Sequence, residues 1–264
     1  MKGLVVIALF FCATGLAAAQ DAAVPAAKAT EAEPPPSACQ LRLAKVAVFK
    51  PIPLLAGPGE CGAVDAVLLE QVMLPDQAKV TVAPPATLRC AMAEAVALWL
   101  REDVAPAALQ FGAPLRGLDN FDSYECRGRN RVHGATLSEH GRANALDVRA
   151  LRLANGEVIS FTDVNVARDW REALRASTCA RFSTVLGPGS DGSHEQHIHV
   201  DLAERRGGYK MCEWDVREPV KEPAPQDEQN AAKLTEPVPL PRPRPVPSAV
   251  GASPAKKMRP QLRW

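Results

Sequence analysis

Six cysteines constrain this chain more than any other feature: Cys39, Cys61, Cys90, Cys126, Cys179 and Cys212. A seventh, Cys12, lies in the N-terminal stretch MKGLVVIALFFCATGLAAAQD. There Lys2 is a charged start, Leu4 to Leu16 is a short apolar run and Ala17 to Ala19 supply small residues. That order is the pattern of a cleaved secretory signal, so residues 1–19 are expected to be removed, and Cys12 with them. The run is too short for a stable transmembrane helix, so no transmembrane anchor is expected after cleavage. Phe10 and Phe11 are too bulky for the position before a lipidated cysteine. An even number of cysteines in an exported chain points to up to three disulfides, with the pairing left open. No CxxC pair exists, which argues against thiolate zinc.

Cys39 and Cys212 also mark where foldable sequence begins and ends. Residues 20–38 are rich in Ala, Pro and Glu without an apolar period and read as a disordered linker. Residues 217–264 are similar, and EPVPLPRPRPVPSAV is expected to be extended polyproline II. From Arg242 onward every charged side chain is basic. That tail reads as a solvated segment, or as an arm lying along the cell wall or another acidic surface. The net charge of +1 gives no general pull toward nucleic acid.

Residues 39–216 form the expected domain. AKVAVF and KVTV read as short strands. APPATLRCAMAEAVALWLRED reads as a helix with Pro85 in its first turn and Leu88, Met92, Ala95 and Trp99 on one stripe. ALDVRALRLANGEVISF reads as a hairpin, with Asn155-Gly156 supplying positive φ angles. TDVNVARDWREALRAS reads as a second helix capped by Thr162 or Asp163, with Val166, Trp170 and Leu174 inward. HIHVDL reads as another strand. The mixture indicates an α+β fold, with a small antiparallel sheet and flanking helices.

Of five histidines, three stand in SDGSHEQHIHVDL and a fourth, His140, in LSEHGRANALD; only His133 is isolated. Successive side chains of a strand face opposite ways. His197, His199 and Asp201 therefore share one face of HIHVDL, with Ile198 and Val200 on the other. Asp147 likewise opposes Leu146 and Val148. A hydrolytic zinc site needs three ligands from His, Asp and Glu and an open position for water. His140, Asp147 and one histidine of HEQHIH satisfy that requirement, with one zinc ion per domain. A bound zinc brings the pKa of its water to roughly 7. The remaining histidines and an arginine are candidates for proton transfer and oxyanion stabilisation. A surface cluster, or a purely structural zinc, is the competing reading.

Ser138, His140, Ala145 and Asp147, followed by a distal HxH, resemble the SxHxxGxAxD pattern of LAS-type zinc peptidases, though not letter for letter. These include D-Ala-D-Ala carboxypeptidases and murein endopeptidases. Across most of Cys39 to Cys212 the chain also resembles the extensin-like C-terminal domain of bacterial exported proteins, in APPATLRC, SYECRGRN, LSEHGRANALDVRA and VLGPGSDGSHEQHIHVDL.

The resemblance implies His140, Asp147 and His199 as zinc ligands. The carboxypeptidase branch carries a catalytic Glu where this chain has Gln196, which cannot take a proton. The HxxHxH spacing is closer to the murein endopeptidases. This implies His197 as general base and His194 as a group that orients it or stabilises the oxyanion, with Glu195 as runner-up base. Arg127 resembles an arginine aimed at the scissile carbonyl or a substrate carboxylate; a surface salt bridge is the alternative, and Arg129 is a weaker candidate. Ser138 is expected to fix its loop at the substrate side of the site. Asp201 either holds a histidine tautomer or is an exposed strand residue. The implied protein is a periplasmic or secreted zinc peptidase acting on peptidoglycan peptide stems at D,D cross-links. The alternatives are a D,D-carboxypeptidase and a non-catalytic, zinc-containing wall-binding module.

Overall fold

The computed structural model describes residues 34–132 and 134–219; the expected signal, most of the linker, His133 and nearly all of the basic tail lie outside the described residues. The chain runs α1 (Ala38–Leu43), β1 (Ala47–Ala56), β2 (Gly62–Met73), β3 (Lys79–Arg89) and α2 (Cys90–Trp99). A wider turn, Leu100–Val104, leads into α3 (Ala105–Ala108). Then come β4 (Leu115–Asp122), β5 (Ala145–Leu153), β6 (Val158–Ser160), α4 (Arg168–Arg181), β7 (Thr184–Leu186), β8 (Ile198–Asp201) and β9 (Met211–Glu213). The fold is α+β, but the sheet is not small and antiparallel. Nine strands join in one mixed sheet, β1-β2-β3-β4-β5-β8-β7-β9, with β6 against β5. The β3–β4 and β7–β9 pairs are parallel.

The first expected helix begins late. Residues 83–89 belong to β3, where Val80, Val82, Ala86 and Leu88 are buried at period two, and the helix starts at Cys90. Pro84 and Pro85 fall where the β2–β3 register breaks, between Thr81 opposite Gln71 and Ala86 opposite Leu69. A proline has no N–H for a ladder, so an irregularity is where a strand accepts it. The residue before a proline is also pushed away from helical geometry. Beyond Cys90 the helix buries Met92, Val96 and Trp99. Ala95 is only partly buried against the core.

The second helix also starts late, at Arg168, and neither expected cap serves it: Ala167 precedes it without a side-chain cap, while Asp163 Oδ1 accepts from Asn165 N in the loop. Trp170, Leu174 and Thr178 form its buried stripe, and Val166 packs from the loop. In the β5–β6 hairpin only Gly156 adopts positive φ (87°), while the Asn155 side chain accepts from Glu157 N at 3.0 Å. The turn is therefore a longer loop than the one read from Asn-Gly.

The helices pack on the sheet through α2 on β2 and β3 and α4 on β7, with α1 and α4 against α2. Trp99 is fully buried at that junction. Its Nε1–H donates to Thr178 Oγ1 at 3.1 Å, and its rings lie 5.8 Å from Phe182 and 6.1 Å from Phe161. All six expected cysteines pair. Cys39–Cys90 ties α1 to the start of α2, Cys61–Cys126 ties the β1–β2 turn to the loop after β4, and Cys179–Cys212 ties α4 to β9. Such bonds persist in oxidising compartments. Among the described residues no helix is long and apolar enough to cross a membrane.

A candidate metal centre at the junction of three strands

The site is built by strand register. Asp122 of β4 stands opposite Asp147 of β5, and Asp147 stands opposite His199 of β8. His140 arrives from the short helical turn Glu139–Arg142, which Ser138 caps by accepting from His140 N. Ala143, left-handed at φ 51°, then turns the chain into β5. The strand at β8 begins at Ile198, so His199 and Asp201 share a face as expected, whereas His197 sits in the approach to the strand. Both faces of β8 are covered; Ile198 and Val200 enter the core and the polar pair is buried too. Asp201 is therefore not an exposed strand residue.

His140 Nε2, Asp147 Oδ1 and His199 Nδ1 form a triangle with edges of 3.2, 3.1 and 2.9 Å. Ligand atoms around a tetrahedral zinc with bonds of the usual length are roughly 3.3 Å apart. The outer nitrogens fix how the rings are used. His140 Nδ1 donates to the Ser123 carbonyl at 2.5 Å, and His199 Nε2 donates to Asp201 Oδ2 at 3.1 Å. Both acceptors lack protons, so His140 Nε2 presents a lone pair to the triangle, and His199 Nδ1 does so whenever it is deprotonated. Asp201 is itself held by Thr184 Oγ1 and Ala203 N. This is the support that orients metal-binding imidazoles.

The charges around the triangle favour a proton on His199. Burial would lower the pKa of His199, but hydrogen bonds and charge from Asp147 and Asp201 outweigh it and raise it to about 9. Burial would likewise raise the Asp147 carboxyl; the imidazoles of His140, His197 and His199 gathered around it instead hold it well below the usual carboxylate range. His199 is thus an imidazolium clamped between two carboxylates, with His140 Nε2 facing its shared proton. The donor set fits zinc in type, number and spacing.

His197 and His194 flank this triangle. His197 Nε2 is 3.4 Å from Asp147 Oδ2, and its ring lies 4.6 Å from Phe121. His194 lies 5.1 Å from His197, centroid to centroid, and its Nδ1 donates to Asp191 Oδ1 at 2.7 Å. Burial lowers the pKa of His194 by more than Asp191 raises it. Glu195 points elsewhere: its carboxylate accepts from Gly189 N and Arg217. Gln196 is exposed.

A cleft of about 430 Å³ opens over these groups, lined by Phe121, Arg127, Arg129, Ser138 and the four described histidines, among others. Arg127 stands in its wall, but its Nε and Nη2 donate to Glu125 and Asp122 at 2.7 and 3.2 Å. It is thus both a cleft residue and a salt-bridged one. The Ser138 hydroxyl is buried at its loop. Several participants escaped the sequence reading. The Ser123 carbonyl has no side-chain signal, Phe121 looks like any apolar strand residue, and Asp191 is marked only by its place three residues before His194.

No curated protein and no solved structure matches the chain. The profile of the extensin-like protein C-terminus family matches residues 37–213. With the disulfides and the whole histidine–aspartate site inside that span, the chain belongs to the extensin-like protein C-terminus family.

Proposed function

We propose that the protein is an exported zinc peptidase that hydrolyses D,D peptide cross-links of bacterial peptidoglycan. The observation that carries the reading is the buried triangle of His140, Asp147 and His199 with both outer histidine nitrogens already committed. The His-x6-Asp and HxH spacing that resembles the LAS-type peptidases supports the same reaction class. A zinc ion held by these three residues would supply Lewis acidity and a water acidified to near neutral pH.

The chain's own groups do the rest. His197 accepts the proton of the attacking water at Nε2, the nitrogen beside Asp147. Phe121 covers one side of that ring and keeps bulk water from it. His194 uses its Nδ1–H on Asp191, so in its neutral form it has no N–H left for an oxyanion; it orients the His197 side of the cleft instead. Oxyanion stabilisation therefore falls to Arg127, whose Nη1 makes no hydrogen bond among the described residues. Asp122 and Glu125 hold the guanidinium rigid, and a peptide stem bearing carboxylates suits a wall that also carries Arg129 and Arg131. The exposed Gln196 leaves the carboxypeptidase's glutamate without a counterpart.

The test incubates zinc-loaded residues 20–264 with isolated peptidoglycan beside a His140→Ala control and identifies products by mass spectrometry. Cross-linked dimers should fall and uncross-linked monomers rise. Trimming of terminal D-alanine alone would establish a carboxypeptidase. Sedimentation with the wall without any bond cleaved would make the domain a binding module.

A further inference from the structure

His194 is costly to bury and is left with little to do in the reaction just described. It is 7 % exposed, His197 8 % and Asp147 4 %, so all three are more than nine-tenths buried. Their donor atoms lie within 4.8 Å of one another, and this group shares only Asp147 with the first triad. The carboxylate is divided between the two groups: Oδ1 faces His140 and His199, and Oδ2 faces His197. Asp191 does for His194 what Asp201 does for His199, taking its outer N–H so that Nε2 offers a lone pair inward. Asp191 is in turn fixed by Ser193 N at 2.9 Å and Asn130 Nδ2 at 3.0 Å. A carboxylate placed behind a buried imidazole is the support a metal ligand requires, and here it is built twice.

We propose that Asp147, His194 and His197 form a second site for a zinc-class divalent cation, and that filling it withdraws His197 from proton transfer and inhibits the enzyme. Two imidazoles and one carboxylate oxygen suit such an ion. A carboxylate bridging two ions about 3.5–4 Å apart is an established arrangement. The second ion binds more weakly than the first, because it shares Asp147 and meets the charge already there. Cleavage therefore runs at low free zinc and shuts down in excess.

The inference rests on the first triad holding zinc, and the experiment separates the two. Zinc alone is titrated into the mature chain by equilibrium dialysis, with bound metal measured by mass spectrometry and cross-link cleavage followed in parallel. Wild type should bind two ions in two separated steps, with cleavage lost as the second fills. His194→Ala should bind one, and its retained tight ion reports that the variant is folded. Asp191→Asn should weaken only the second step, by about 10- to 100-fold. Saturation of wild type at one ion overturns the proposal and leaves the first triad standing. So does a second ion retained at full affinity in both variants, or cleavage unchanged as the second step fills. Absence of all zinc overturns both readings.

Discussion

On the proposed reading, zinc and a proton would compete for the centre of the His140–Asp147–His199 triangle, and the competition has a calculable size. In the metal-free protein His199 stays an imidazolium up to about pH 9, with Nδ1–H toward Asp147 and Nε2–H toward Asp201. Zinc requires that nitrogen bare. At pH 7 the imidazolium outnumbers the neutral ring by about 100 to 1, since two pKa units correspond to roughly 2.7 kcal/mol. Apparent affinity should therefore fall about tenfold for each unit from pH 9 to pH 7, and binding near pH 7 should release about one proton per ion. Calorimetric titration at one pH in two buffers of different ionisation enthalpy counts that proton directly. A second series across pH 6 to 8.5 gives the slope. Affinity independent of pH, with no proton passed to the buffer, would refute the arrangement of a proton clamped between two carboxylates.

Three further outcomes are expected. Asp201→Asn removes the carboxylate behind His199 and should weaken zinc binding about 10- to 100-fold without loss of fold, read by chelator competition and circular dichroism. The folding stability of the metal-free protein should peak in an intermediate window, followed by thermal melts across pH. The depressed Asp147 pKa contributes stability above the ordinary carboxylate range that is lost as pH falls, and the raised His199 pKa contributes stability below about 6.5 that is lost as pH rises through about 9. Replacing Cys61 and Cys126 together by Ser opens a link spanning 65 residues. It should cost up to about 4 kcal/mol in urea unfolding by the chain-entropy account, with cleavage lowered further because the arm carrying Arg127 and Ser123 is freed.

What the sequence made legible was chemistry carried by alternation. In HIHVDL the apolar Ile198 and Val200 assign His199 and Asp201 to the opposite face without any knowledge of the partner strands. The same alternation at Leu146 and Val148 isolates Asp147. Residues 83–89 failed for a reason of the same kind: Ala86 and Leu88 fit a helical stripe and a strand equally well over so short a span. The choice is made by β2, whose Ala66–Leu69 segment pairs with them. The size of the sheet was hidden because β7 and β9 are only three residues long and owe their existence to neighbours, while β2 and β4 run through register breaks that disturb their alternation. The Ser123 carbonyl could not be read at all, since any residue offers that group.

The placement of Asp147 directly across from His199 makes the His140–Asp147–His199 triangle itself a readout of correct folding. The two residues stand 52 positions apart in the chain, and a slip of one position between β5 and β8 would turn His199 and Asp201 away together. A misregistered chain thus forms no triangle. On the proposed reading, an ion bound there would be a late seal on the native topology, locking β5 to β8 once the strands between Ala145 and Asp201 have found one another.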